Sequence, residues 1–168
     1  MFDVVLHEPE IPNNTGNIGR TCVATGCRLR LIEPIGFDLS EKACRRAGLD
    51  YWPRLDLATH ADWDAYQAET PGARRWLFSG RVGRLAFDAD FRPGDHLVFG
   101  KESVGLPDEL LESEADRVLR LPLVEGERSL NVATVACTIV YEGLRQCLAR
   151  GELQVDEAIR FRRPNPGG

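Results

Sequence analysis

Short apolar runs alternate with amphipathic stretches along the whole chain. Phe2–Leu6, Arg28–Ile32, Arg75–Ser79, Leu97–Phe99 and Arg117–Leu121 read as strands, each brief and rich in branched or aromatic residues. Arg54–Leu57 is read as a further strand. Helical patterns lie between them. The strongest runs from Asn131 to Arg150, where Val132, Val135, Ala136, Ile139, Val140, Gly143, Leu144, Cys147 and Leu148 keep to one face. Gly151 stops it. Near the start, Asn14 or Thr15 is expected to cap a helix to about Cys22–Thr25, with an apolar side at Ile18, Cys22 and Val23 and a stop at Gly26. Asp38–Ala47, capped by Asp38 or Ser40, and Ala61–Ala68, ended by Pro71-Gly72, are shorter helices. Pro107 opens another, with Asp108 and Glu109 in its first turn. Strands alternating with helices predict an α/β fold, a mostly parallel sheet flanked by helices.

The 168 residues suit one domain. It is drawn at 1–155, with 156–168 as a C-terminal tail. A hydrophobic share of 43% and a charged share of 28% are those of a globular protein, and no apolar run approaches the ~18 residues of a membrane span. The first residues enter a strand directly, so no signal peptide is expected. Five cysteines without a C-x-x-C pair argue against a zinc or disulfide framework and for a reducing cytoplasm. His7, His60 and His96 are too scattered to serve as ligands, and no metal is expected. Net charge is −5, so the whole domain does not attract nucleic acid. Basic residues cluster locally, however, at Arg28 and Arg30, at Lys42, Arg45 and Arg46, at Arg74, Arg75, Arg81 and Arg84, and at Arg160, Arg162 and Arg163. Such clusters suit either a solvated face or a phosphate-binding patch.

Candidate chemistry gathers at three strand-to-helix junctions. One is Phe99-Gly100-Lys101-Glu102-Ser103-Val104-Gly105-Leu106-Pro107, a glycine turn holding Glu102 at a strand's carboxyl end. It is not a Walker loop: Asp95 stands where that pattern needs glycine, and Glu102 where it needs Ser or Thr. The others are Asn14–Arg20 and Ser129–Asn131. In a parallel sheet all such junctions lie at one edge and can converge. Capping is the ordinary role for Asn14 or Asn131. It does not explain Arg20, well inside its helix, or Glu102, in a glycine turn.

Together the junctions resemble the SPOUT superfamily of knotted RNA methyltransferases. Asn14-Thr15-Gly16-Asn17-Ile18-Gly19-Arg20 looks like its first motif, Phe99–Pro107 like its second, and Leu121-Pro122 with Ser129-Leu130-Asn131-Val132-Ala133 like its third. Order and spacing match over essentially the whole chain. Glu8-Pro9-Glu10-Ile11-Pro12-Asn13-Asn14 and Arg45-Arg46-Ala47-Gly48-Leu49-Asp50-Tyr51 are most similar to one branch, the tRNA wobble-position (cytidine/uridine) 2′-O-ribose methyltransferases. The resemblance implies a C-terminal deep trefoil knot, a homodimer joined through the first and last helices, and S-adenosylmethionine held against the knot. It also implies the tRNA anticodon stem-loop as partner. The cofactor's adenosyl group is expected among Phe78, Gly100, Leu121 and Ser129, with Phe78 and Leu121 forming an apolar adenine slot. Asn14, Arg20, Glu102, Ser129 and Asn131 match catalytic and substrate positions.

The implied reaction is in-line methyl transfer to a ribose 2′-hydroxyl, a weak nucleophile that must be oriented and must lose its proton. The family account gives its activation to the residue at Arg20. A guanidinium, with a pKa above about 12 and no acceptor, suits phosphate holding and alkoxide stabilisation better than proton removal. Glu102 is expected to order the turn rather than touch substrate. A non-catalytic knotted dimer that binds RNA or nucleotide, and a 2′-O-methyltransferase acting on another RNA, are the competing expectations.

Overall fold

Seven parallel strands form one sheet in the order β3-β2-β1-β6-β4-β7-β5. They are β1 (Asp3–His7), β2 (Arg28–Ile32), β3 (Leu57–His60), β4 (Arg75–Phe78), β5 (Arg84–Leu85), β6 (His96–Phe99) and β7 (Val118–Arg120). The helices are α1 (Pro12–Thr25), α2 (Glu41–Arg46), α3 (Trp63–Glu69), α4 (Asp108–Ser113) and α5 (Val132–Ala149). A computed structural model describes residues 1–46 and 48–162.

The strands alternate their side chains between two apolar layers. Val4, Leu6, Leu29, Leu31, Leu97 and Phe99 face α1 and α5, where they meet Ile18, Cys22, Ile139, Val140 and Leu144. Val5, Ile32, Leu77, Val98 and Val118 face the other way, against Tyr66 of α3, Leu111 of α4 and Leu106. Both faces are covered, as a parallel sheet requires.

Most expected elements are present, with shifted ends. Asn14 and Thr15 do not cap α1. Pro12 fits the first turn, Ile11 is the N-cap without a side-chain bond, and both expected caps lie inside the helix. Gly26 ends α1 at φ 72°, as its left-handed stop requires. Ser40 Oγ accepts the Ala43 amide at 3.3 Å and opens α2, while Asp38 accepts from Ser40. The expected end of that helix, Ala47, lies outside the described residues, as do Arg163 and the tail Pro164–Gly168. The strand expected at Arg54–Leu57 begins only at Leu57, because Trp52–Arg54 forms a 3₁₀ turn. The edge strand β5 gave no periodic signal at two residues. The boundary drawn at residue 155 falls inside a hairpin, β8 (Gln154–Val155) with β9 (Phe161–Arg162), whose Phe161 packs on the larger apolar layer. All five cysteines are free thiols, and all but half-buried Cys137 are buried.

Below α3 a polar layer replaces the apolar one. Arg30 Nε donates to Asp3 Oδ2 at 2.5 Å, and His96 Nε2 lies 3.5 Å from the same oxygen. Tyr66 Oη is 2.6 Å from His96 Nδ1, which suits a neutral imidazole accepting there. Burial holds the His96 pKa below its ordinary value against the opposing pull of Asp3, and Arg30 and Arg75 add to the lowering.

Two outcomes follow. An alanine Cβ at Gly143 would stand 2.6 Å from Phe2 Cζ, so Gly143→Ala should lower stability by about 1–3 kcal/mol in chemical denaturation, and Phe2→Leu in that background should recover part of it. A folded His96 pKa below the unfolded value means the unfolded chain binds the extra proton. Stability is therefore complete above the unfolded value, 6.5, and falls as pH drops below it. His96→Gln should flatten the melting temperature between pH 7 and 5.

Candidate active site

At the carboxyl edge of the sheet, the loops after β1, β6 and β7 are tied by one chain of side-chain hydrogen bonds. Asn131 is the N-cap of α5, its Oδ1 accepting the amides of Ala133 (2.9 Å) and Thr134 (3.3 Å). That fixes which way its amide faces. Asn131 Nδ2 therefore donates to Asn14 Oδ1 at 2.8 Å, and Asn14 Nδ2 donates to Glu102 Oε1 at 3.0 Å. Glu102 also accepts the amides of Glu10 (2.9 Å) and Ile11 (3.3 Å) at the amino end of α1, where a negative charge is favoured. Each donor in this relay has one acceptor orientation available, so the order α5–Asn131–Asn14–Glu102 has a direction. Asn131 thus caps, as expected, and also bridges. Asn14 does not cap at all.

The β6–α4 turn is rigid. A Cβ on Gly100 would stand 2.2 Å from Gly105 C and Leu106 N, so only glycine lets the turn close. Gly105 donates to the Lys101 carbonyl at 2.8 Å, and Ser103 N donates to Glu10 Oε2 at 3.0 Å. Glu10 and Glu102 thus exchange bonds across the two loops. The Ser103 bonds hold the Glu10 carboxyl below its ordinary value. Glu10 was missed as a candidate; its place two residues after Glu8 in an acidic, proline-rich loop was the available signal.

Beside this turn a cleft of about 240 Å³ opens between β1 and β6, lined by His7, Glu8, Arg81, Lys101, Val104 and Asp108 among others. The loops leave β1 and β6 toward opposite faces of the sheet there, the usual place for ligands in α/β sheets. Its charges are paired, Lys101 with Glu8 at 2.5 Å and Arg81 with Asp108 at 2.7 Å. His7 is buried, its Nδ1 has no hydrogen-bond partner, and burial lowers its pKa.

The remaining candidates divide. Ser129 is exposed, and its Cβ lies 3.5 Å from where a Cβ on Gly80 would be, which sets the loop after β7 over the end of β4. Leu121 is half-buried against the larger apolar layer. The Phe78 ring stacks on Phe99 (4.7 Å, 13°) at the edge of the core, and its residue ends β4. Arg20 is not part of the relay. Its side chain is 62% exposed and meets Asp50 at 3.6 Å and the Tyr51 ring at 4.4 Å. From Pro122 to Leu130, one backbone–backbone hydrogen bond is present among the described residues, Glu127 to Val124 at 3.3 Å.

The sequence pattern of the SpoU rRNA Methylase family matches residues 1–141. The chain belongs to that family. The tRNA (cytidine(34)-2′-O)-methyltransferase of Saccharophagus degradans is 49% identical over 147 residues, covering 87% of this chain and 96% of that protein. One of the same name from Burkholderia ambifaria is 47% identical over 149 residues, covering 87% and 96%. A solved structure from work on the 2-OH methylation of C/U34 on tRNA superposes with a TM-score of 0.83 at 45% identity, covering 89% of this chain and 98% of that one. The SpoU methyltransferase AviRb of Streptomyces viridochromogenes, in complex with AdoMet, shares the fold at a TM-score of 0.71 and 23% identity, covering 88% and 60%. For this SpoU chain, then, the mostly parallel sheet flanked by helices is the family's own.

Replacing Glu102 by glutamine puts one N–H₂ where three donors converge. Glu102→Gln should cost about 1–3 kcal/mol in urea denaturation. Combined with Asn131→Ala it should be non-additive, although the two side chains do not touch; strict additivity would show that the relay does not act as a unit.

Proposed function

We propose that this SpoU protein transfers a methyl group from S-adenosylmethionine to the ribose 2′-hydroxyl of the wobble nucleotide, cytidine or uridine, of tRNA. The observation that carries the reading is the relay itself: Asn14, Glu102 and Asn131, one from each motif, are joined in a chain covered almost end to end by relatives of that named activity.

The cofactor fits the open backbone between Leu121 and Ser129 and the glycine turn at Gly100. Phe78, Gly100, Leu121 and Ser129 would hold the adenosyl group mainly through peptide groups, Phe78 through backbone alone. S-adenosylmethionine supplies an electrophilic methyl on a sulfonium. Asn14 and Asn131 keep the loops that frame it in register, and Glu102 locks the turn to α1 rather than meeting substrate. Ser129 orients the loop over β4.

Arg20 binds a phosphate of the RNA and stabilises the negative charge that builds on the 2′-oxygen as its proton leaves, before and during attack on the methyl. It carries no acceptor, so the proton leaves to phosphate or water. The segment from about Leu121 to α5 is read as threaded in a deep trefoil knot, a reading supported by β4 lying between β6 and β7 in the sheet. The functional unit is a homodimer through α1 and α5, a reading supported by Tyr141 and Leu148, which α5 leaves exposed. Among the described residues no helix is long and apolar enough to cross a membrane; action on tRNA supports the reading of a cytoplasmic protein.

Labelled S-adenosylmethionine should deliver its methyl to tRNA carrying an intact wobble ribose and not to the 2′-deoxy version. Binding of both without turnover would favour a non-catalytic RNA-binding dimer; turnover on both would point to another site on the RNA. Arg20→Lys should lose about 10- to 100-fold in turnover, since a point charge lacks the planar fork.

A further inference from the structure

Arg20 leaves α1 toward solvent, yet its guanidinium is not free to sweep. The carbon of that group lies 4.4 Å from the centre of the Tyr51 ring. Tyr51 is 2% exposed, and its hydroxyl donates to the Gly16 carbonyl at 2.5 Å. Gly16 stands one helical turn before Arg20, so the ring is tied to the same helix whose arginine it supports.

Space for that ring is written into the first motif. A Cβ on Gly16 would meet Leu49 Cδ2 at 3.3 Å and Tyr51 Oη at 3.5 Å. A Cβ on Gly19 would meet Trp52 Cζ3 at 3.0 Å and Leu55 Cδ2 at 3.3 Å. The two glycines make a trough along α1, and the segment from Leu49 to Leu55 lies in it. Closing the trough would lift Tyr51 from beneath Arg20.

The geometry of the contact matters. A cation held over an aromatic ring at this distance is attracted by the ring's electron-rich face. The carboxylate in reach, Asp50, is 82% exposed and 3.6 Å away, a loose contact of little strength in water. Burial pushes the Tyr51 phenol up, against the opposing pull of Arg20, and the ring stays neutral. Arg20 is therefore held against the Tyr51 ring while its side chain stays 62% exposed to a ligand.

We infer that Tyr51 is a positioning residue for the methyl transfer: its buried ring holds the Arg20 guanidinium in place for a phosphate or sugar oxygen of bound RNA. This rests on the reading of Arg20 as a substrate-contacting residue.

The test is single-turnover methyl transfer to tRNA by the full chain, with wild type, Tyr51→Phe, Tyr51→Leu, Arg20→Ala and the double variant Arg20→Ala/Tyr51→Leu. Tyr51→Leu should slow the step about 10- to 100-fold, with cofactor affinity in calorimetry unchanged. Tyr51→Phe, which keeps the ring, should stay within about fivefold of wild type. In the Arg20→Ala background, Tyr51→Leu should cause no further loss. An equal loss in that background would overturn the inference, since Tyr51 would then act on the fold and not through Arg20. A phenylalanine variant as slow as the leucine variant would overturn it too. Full activity in Arg20→Ala would instead remove the reading of Arg20, and is distinct from both. Tyr51→Met, closer in volume, makes the same comparison if the leucine variant unfolds at the assay temperature.

Discussion

A carboxylate and two carboxamides hold the carboxyl edge of this sheet together. Their bonding has a direction because α5 dictates it. Two amides at the start of that helix demand an acceptor, Asn131 turns its oxygen to them, and its nitrogen must then face Asn14. Asn14 in turn offers its own nitrogen to Glu102, which also takes two backbone amides ahead of α1. Residues 117 and 88 positions apart are so placed within hydrogen-bond distance. A wrong amide orientation anywhere would set donor against donor in a part-buried site, where an unpaired group is costly.

Around this core of polar contacts the loops divide their work. The turn after β6 is closed by its own backbone and admits no side chain at Gly100. By contrast, the loop after β7 spends almost none of its peptide groups internally. One loop is a rigid wall and the other an open set of donors and acceptors, which suits a ligand read mainly through backbone. Charge follows the same economy. The protein is acidic, −5 overall, and the cations around this edge are placed individually. Lys101 and Arg81 are tied down by carboxylates, whereas Arg20 rests on the Tyr51 ring and stays largely exposed.

Legibility in the sequence followed the range of the forces involved. α5 was plain because its apolar stripe repeats over five turns, and β2 was placed to the residue because its bounds are marked on both sides. The convergence of Asn14, Glu102 and Asn131 was also legible, from junction placement in a parallel sheet and from motif resemblance. Short elements were not. Two-residue strands carry no period, and the 3₁₀ turn at Trp52–Arg54 displaced a strand expected there. Asn14 was read as a cap because that residue type caps helices locally; a proline at the helix start and a distant carboxylate took over that task. Phe78 suited an adenine slot by type; that its ring stacks on Phe99 could not be read from the chain.

By itself, then, the chain's order of residues determined the alternation of strands and helices, the glycine turn and the polar residues at three junctions, because propensity and periodicity act over a few neighbours. Only the folded arrangement decided which amide faces which, that Glu102 serves α1, and that Arg20 rests on Tyr51. Those contacts join segments tens of residues apart, and their geometry is set by how the sheet brings its loops to one edge.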